Sequence, residues 1–402
     1  MESFNNIYEE ITEEEIIKMA QKQNRTIEEV KKTLLHSLKD LKYTTDEINK
    51  IIDRNGYKRL PDETVQIVSY SDSSKLCEKY MCHDHGQDIC GISNEDIALV
   101  TGFGPTNSPT AGTLSMIFRM LDLQKNANLY TSIIISDLGA LNSRKKPLDE
   151  LLETTQQFIN FISALGFDHS KGDLRTHNHP EHSKIFKIIS SLISVNDFNE
   201  HAEVTEEMYK RLNLQGNDFS SMVDKTFTVA DIIMPLILNN KKAVLVSAGI
   251  EEHYYPKFSR EIIRRMQNSS GGINELVGSN AKIAAIYGKL INGLFPYVKM
   301  SKSIPNSAIN IGDNEKEIKD KILFCDKRNE IVILQMIELA SNWNSSQIFE
   351  AKTAYEKREI SRDWHIIKES YLQFFLSVRK IWNDCKPRVL HSVKSQIFYD
   401  GK

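Results

Sequence analysis

Along the first 60 positions apolar residues recur every three or four, the period of a helix. Thr12 precedes Glu13, Glu14 and Glu15, whose charge suits the positive end of a helix. Thr26 and Glu29 form a Thr-x-x-Glu capping pattern ahead of Val30, Leu34, Leu35 and Leu38. Thr45 opens a third stretch with Ile48, Ile51 and Ile52 on one face. Residues 1–60 are therefore expected to form a small helical appendage whose apolar stripes serve packing. Residues 59–95 read as mixed and irregular.

From Asp96 onward, short continuous apolar runs alternate with helical periods. Asp96–Thr101 is predicted as a strand running into Gly102-Phe103-Gly104-Pro105. The helix after it carries Met116, Ile117, Met120, Leu121 and Leu123. Tyr130–Ser136 is a second strand, whose β-branched run predicts burial on both faces, as in a parallel sheet. A helix over Leu148–Leu165, a strand over Leu174–Asn178 and a helix over Pro180–Ile193 follow. Residues 196–240 read as a helical insertion, Ala243–Gly249 as another buried strand and Pro256–Met266 as its helix. After Lys302 the chain turns helical, with Ile331–Asn342, Ser346–Glu356 and Ser361–Asp384 as candidates. There Trp364, Phe374, Phe375 and Trp382 fall on helical spacing and are expected in the core. This alternation predicts an α/β fold: a Rossmann-type doubly wound parallel sheet. The expected division is a helical appendage over 1–60, a catalytic domain over 61–303 with its insertion at 196–240, and an all-helical domain over 304–402.

Composition narrows the function classes. With 402 residues, 40% apolar and 26% charged, two or three globular domains are expected. A net charge of -3 argues against a protein that coats DNA or RNA generally, while leaving room for a local basic surface. No run approaches the roughly 20 apolar residues of a bilayer span, and Met1–Glu15 is too acidic for a signal peptide. The cytoplasm is the expected compartment. Five cysteines then read as reduced thiols. Cys77, Cys82 and Cys90, with His83 and His85 between them, have irregular spacing for zinc. His177, His179 and His182 read as surface groups that a helix start at Pro180 keeps apart. No metal site is assigned to either cluster. Arg144-Lys145-Lys146 reads as a solvated loop.

Two segments carry chemistry. In Gly102-Phe103-Gly104-Pro105-Thr106-Asn107-Ser108-Pro109-Thr110-Ala111-Gly112-Thr113-Leu114, a strand runs into small residues and prolines, and a helix opens. Glycine lets backbone approach a ligand closely, and a helix start offers unpaired N–H groups to phosphate. Thr110 and Thr113 add hydroxyls in the first turn. In Lys299-Met300-Ser301-Lys302-Ser303, two lysines three apart sit in a loop beside small hydroxyl residues. Such ammonium groups neutralise charge that builds on a triphosphate as pyrophosphate leaves.

With these segments the chain resembles class I aminoacyl-tRNA synthetases, closest to the tryptophanyl and tyrosyl pair of archaeal and eukaryotic type. The first segment stands where the family has its HIGH motif. Ser136-Asp137-Leu138-Gly139-Ala140 is similar to the family's A-D-L-H-A. Gly249-Ile250-Glu251-Glu252-His253-Tyr254-Tyr255 stands in the place of G-I-D-Q-D-x-Y. K-M-S-K-S-I-P-N-S-A-I, Lys299 to Ile309, leans toward the tryptophanyl side, and the terminal helices resemble an anticodon-binding region. The resemblance covers about residues 95–385.

The resemblance implies ATP-dependent activation of an amino acid as its adenylate, with Mg2+ accompanying the ATP, then transfer to tRNA. Tryptophan is the first expected substrate, tyrosine the next, and a non-standard amino acid is left open. On this reading Lys299, Lys302, Thr110 and Thr113 are catalytic. Gly102, Phe103, Gly104, Gly112, Met300, Ser301 and Ser303 would bind ATP, and Asp137, Gly249, Glu251, Glu252 and Tyr255 the amino acid. A homodimer is implied, and neither a membrane nor DNA is an expected partner. Thr110 and Thr113 replace both HIGH histidines, Glu251-Glu252 replaces Asp-Gln, and Gly139 is expected to widen the pocket. Two other readings remain open: a repurposed ligase passing the activated amino acid to a non-tRNA acceptor, and an inactive paralogue that binds RNA or senses an amino acid.

Overall fold

The computed structural model describes residues 13–23, 25–37, 44–61, 67–68, 78–144, 147–200, 219–301, 304 and 306–387. Cys77, Lys145, Lys146, Lys302 and Ser303 lie outside them.

The first helices are α1 (Glu13–Gln23), α2 (Ile27–Ser37) and α3 (Thr45–Asn55). Ahead of α2 the expected capping box is made in both directions. The Thr26 N–H donates to Glu29 Oε2 at 2.8 Å, and the Glu29 N–H donates to Thr26 Oγ1 at 3.2 Å. The strands and helices that follow are β1 (Lys58–Arg59), β2 (Tyr80–Asp84), β3 (Ile97–Phe103), α4 (Ala111–Asn126), β4 (Tyr130–Ile135), α5 (Asp137–Arg144) and α6 (Leu148–Ala164). Next come β5 (Gly172–Thr176), α7 (Pro180–Ser190), α8 (Val195–Glu200), α9 (Phe219–Leu238), β6 (Ala243–Ala248), α10 (Tyr254–Asn268) and β7 (Lys282–Gly288). The chain continues through α11 (Glu315–Leu323), α12 (Glu330–Leu339), α13 (Ser345–Glu356) and α14 (Asp363–Asp384).

The sheet order is β1-β2-β7-β6-β3-β4-β5. β5, β4, β3, β6 and β7 are parallel, and β2 and β1 continue the sheet antiparallel beside β7. Strand order reverses between β3 and β6, which creates the crevice where doubly wound sheets bind ligands. The Rossmann-type sheet read from the sequence is therefore present. β2 and β7 were not foreseen. β7 (Lys-Ile-Ala-Ala-Ile-Tyr-Gly) has small side chains that blunt the strand signal, and β2 lies in the stretch read as irregular.

Successive strand residues point to opposite faces, and two cores result. Ile97 and Leu99 of β3, Ile133 and Ile135 of β4, and Leu245 of β6 enter one with α4, α6 and the terminal helices. Ala98, Val100, Ile134, Val244 and Val246 enter the other with α7, α9 and α10. On the first face the Trp382 ring of α14 lies edge-on to Phe158 at 5.0 Å and to Phe161 at 5.2 Å, both from α6. Gln157 Nε2 donates to the Trp382 carbonyl at 2.8 Å. The terminal helices thus share a core with the sheet.

Candidate functional site

A cavity of about 190 Å³ opens where the parallel strands β3, β4 and β6 end. Thr101, Gly102, Phe103 and Gly104 come from the end of β3, Ser136 from that of β4, and Ser247 from β6. The Thr101 hydroxyl donates to the Ser247 carbonyl at 2.7 Å, and Ser247 Oγ is 3.1 Å from the Tyr80 hydroxyl. These bonds tie the strand ends together under the cavity. Its far wall is α9, through Asp224, Thr228, Asp231 and Ile232; the short turn Ile250–Glu252 adds Glu252, and the start of α10 adds Tyr255. Burial, then the nearby Asp224 charge, pushes the Tyr255 phenol above its usual range, so it stays neutral.

The helix start lies against residues 309–311, a few positions beyond the lysine loop. The Ala111 N–H donates to the Ile309 carbonyl at 3.1 Å, and the Ile311 N–H to the Pro109 carbonyl at 3.1 Å. Asn310 Nδ2 also donates to the Ser108 carbonyl at 3.1 Å. Thr110 is the N-cap of α4, with its hydroxyl accepting from the Thr113 N–H at 3.4 Å. Its side chain is therefore engaged in holding the turn. A Cβ built on Gly112 would meet only Thr110 Oγ1, at 3.7 Å. The fold itself leaves room there, which fits a glycine kept small for a ligand lying over the helix start.

Lys299 Nζ is 2.8 Å from Glu251 Oε1. Glu251 turns toward the lysine loop, while Glu252 faces the cavity. A side chain at Gly249 would overlap the Glu251 carboxylate, so the fold-back of Glu251 requires glycine there. Met300 is buried in the first core, and the Ser301 N–H donates to Ser307 Oγ at 3.0 Å. Asp137 is buried behind the cavity, where it accepts from the N–H groups of Leu138 at 2.8 Å and His177 at 3.1 Å. Burial raises its carboxyl above the usual range. Gly139 does not widen the pocket as expected. The place its Cβ would take is filled by the Asp224 carboxylate, the Ser136 hydroxyl and the His177 ring.

A buried polar cluster next to the cavity was not foreseen. Asp231 of α9 meets His177 Nε2 at 2.7 Å, Arg175 Nη1 of β5 at 2.8 Å and His182 Nε2 of α7 at 3.2 Å. Pro180 does open a helix, but His177 and His182 are not kept apart: their rings stack at 5.0 Å. His179 caps α7 instead, its Nδ1 accepting from the Glu181 N–H at 3.3 Å. Burial opposes the charged form of His177, but Asp231, helped by Asp137 and Asp224, outweighs it and raises its pKa. Burial likewise opposes ionisation of Asp231, yet His177, Arg175 and His182 hold it well below the carboxylate range. One donor atom from each of His177, His182 and Asp231 lies within 4.8 Å of the others, a spacing a metal could use. The Arg175 guanidinium already supplies the positive charge on that carboxylate, which accounts for the cluster without an ion. A signal was available: Asp224, Thr228 and Asp231 recur at helical spacing in α9. Farther away, His85 Nδ1 is 2.7 Å from Asp88, and Cys90 Sγ is 3.5 Å from the Gly86 carbonyl.

A cleft at the switch point of a five-stranded parallel region defines a doubly wound α/β protein. The chain belongs to the class I tRNA synthetase family for tryptophan and tyrosine (W and Y), whose model matches residues 93–395. It is 26% identical over 238 residues to a tryptophan–tRNA ligase of Methanocaldococcus jannaschii, covering 57% of this chain and 58% of that protein. It is 22% identical over 227 residues to a tryptophan–tRNA ligase of Methanopyrus kandleri, covering 56% of each. The chain thus spans little more than half the length of the curated relatives it matches. Among solved structures, the tryptophanyl-tRNA synthetase of Aeropyrum pernix K1 superposes with a TM-score of 0.65 at 16% identity, covering 86% of this chain and 98% of that one. That of Giardia lamblia gives 0.64 at 16% identity, over 89% and 98%. At such identity the likeness is one of fold.

Proposed function

We propose that this chain activates an amino acid with ATP and transfers it to tRNA, with tryptophan as first substrate and tyrosine as next. The observation that carries the proposal is the cleft at the sheet's switch point, together with the clasp of residues 109–111 at the glycine-bearing helix start against 309–311, the stretch that follows the lysine loop. The similarity to two archaeal tryptophan–tRNA ligases supports it. In the first step a carboxylate oxygen of the amino acid attacks the α-phosphorus of ATP, and the bond to the bridging oxygen breaks. Pyrophosphate leaves; Mg2+ accompanying the ATP would offset part of its charge. In the second, a hydroxyl of the terminal tRNA adenosine attacks the acyl carbon and AMP leaves. Lys299 and Lys302 offset the charge on the departing pyrophosphate, and the N–H groups opening α4 hold phosphate oxygens. Gly102, Gly104 and Gly112 keep the backbone close to the nucleotide, and Glu252 and Tyr255 receive the amino acid. The most direct contribution of such a site is positioning. A homodimer is the assembly proposed with it.

Labelled pyrophosphate should exchange into ATP when tryptophan is added, and total tRNA should become acylated. Exchange with none of the twenty standard amino acids would overturn the proposal. Exchange without acylation of tRNA would confine it to the first step.

A further inference from the structure

Helices α1 and α2 precede the stretch matched by the family, yet they are docked. Ile16 and Ala20 of α1 and Val30 and Leu34 of α2 form one apolar cluster with Tyr297 and Ile304, with Met19 and Phe295 packed against it. Val30 is 0% exposed, and Leu34 and Ile304 are 2% exposed. This cluster is separate from the two cores that flank the sheet. At its rim Glu15 pairs with Arg328 at 3.0 Å, and the Arg328 guanidinium covers the Phe295 ring at 3.6 Å.

Tyr297 and Ile304 bracket the loop that carries Lys299. From these contacts we infer that α1 and α2 are a brace for the lysine loop, with Val30 and Leu34 acting as positioning residues through Tyr297 and Ile304. The inference rests on the proposed role of that loop in handling phosphate. Within the loop, the Ile304 N–H donates to the Ser301 carbonyl and the Ser307 N–H to the Ile304 carbonyl, each at 3.3 Å. The Ser301 N–H meets Ser307 Oγ. These bonds shape a tight turn, and its two ends are tied to residues 292–294: the Gly293 N–H donates to the Val298 carbonyl at 3.1 Å and the Leu294 N–H to the Ser307 carbonyl at 2.9 Å, with Asn292 bridged to Lys299. Between those ends the packing runs through Met300 on the inner side and through Ile304, against the helices, on the outer side. Lys299, at the near end, is held beside Glu251, the neighbour of the cavity residue Glu252. Freed from the brace, the turn visits more positions, and the fraction with Lys299 held beside Glu251 falls. Apparent affinity for the triphosphate then falls by the same factor.

The test uses the full chain with Val30→Asp, which places a carboxylate in a fully buried apolar position, and Val30→Ile as the conservative control. Amide hydrogen exchange follows residues 297–307, and pyrophosphate exchange gives separate KM values for ATP and amino acid. V30D should speed exchange at 297–307 about tenfold and raise the KM for ATP about tenfold, with the KM for amino acid unchanged. V30I should behave as the wild type. Ile304→Ala, which loosens the same contact from the loop side, should reproduce the V30D kinetics. If V30D frees the amides of α1 and α2 while residues 297–307 keep their protection, the brace is refuted. Should the wild type activate no amino acid, the functional proposal fails by itself and the hydrogen-exchange comparison still decides the brace.

Discussion

Asp231 is the residue whose loss should be felt most, and its signature is a dependence on pH. The carboxylate is buried against Arg175, His177 and His182. Asp231→Asn keeps the shape but leaves the Arg175 guanidinium with Asp173 alone, at 3.0 Å, and strips His177 and His182 of the carboxylate they share. Removing one member of a buried pair costs about 3–5 kcal/mol. The two shifted groups set the pH window. The folded pKa of Asp231 lies below its usual 3.8, so its contribution is present above 3.8 and is lost as pH falls through the lowered value. The folded pKa of His177 lies above its usual 6.5, so its contribution is full below 6.5 and is lost as pH rises through the raised value. Both are therefore fully present between 3.8 and 6.5. In the variant, burial at His177 is opposed only by Asp137 and Asp224, so its pKa drops and the slope near neutrality weakens or reverses. Urea unfolding at about pH 5.5 and about pH 8.5 checks this. The stability deficit of D231N should be largest at the acid value and shrink at the alkaline one. A deficit below about 1 kcal/mol at both, or one independent of pH, would refute the reasoning.

Gly139→Ala should destabilise by about 1–3 kcal/mol, because the added methyl overlaps Asp224, Ser136 and His177; thermal unfolding measures it. Unchanged stability would mean that those side chains move aside. Lys302→Ala should slow adenylate formation about 100-fold or more in single-turnover assays, with the melting temperature held. Equal loss of both would remove Lys302 from the reaction. Thr110→Ala should cost about 1 kcal/mol through loss of the cap on α4, and Thr110→Ser should restore it, both read by chemical denaturation.

The fold was legible where apolar runs were long and β-branched. Tyr130–Ile135 and Ala243–Ala248 appear within a residue of their expected bounds, because burial on both faces writes a continuous apolar run into the chain. β7 was hidden by its alanines, which fit a crowded sheet centre but carry little strand preference. At the site, short contiguous motifs marked the helix start and the lysine loop. The α9 wall escaped because its polar residues, Asp224, Thr228 and Asp231, are spread over two helical turns and meet distant partners only after folding, as Asp231 meets His177, 54 residues away in the chain. Gly139 was misjudged for a related reason: the space a missing side chain leaves belongs to whatever packs next to it, and that is set by α9.

The wedge of Trp382 between Phe158 and Phe161 bears on how the protein can be dissected. Clipping the polypeptide ahead of α14 would strip aromatic cover from the sheet and strand the amide of Gln157 beside a hole. Expression of the sheet-bearing part alone would then yield sticky, partly collapsed material. A useful cut must spare the last long helix and keep it joined to the sheet it shields.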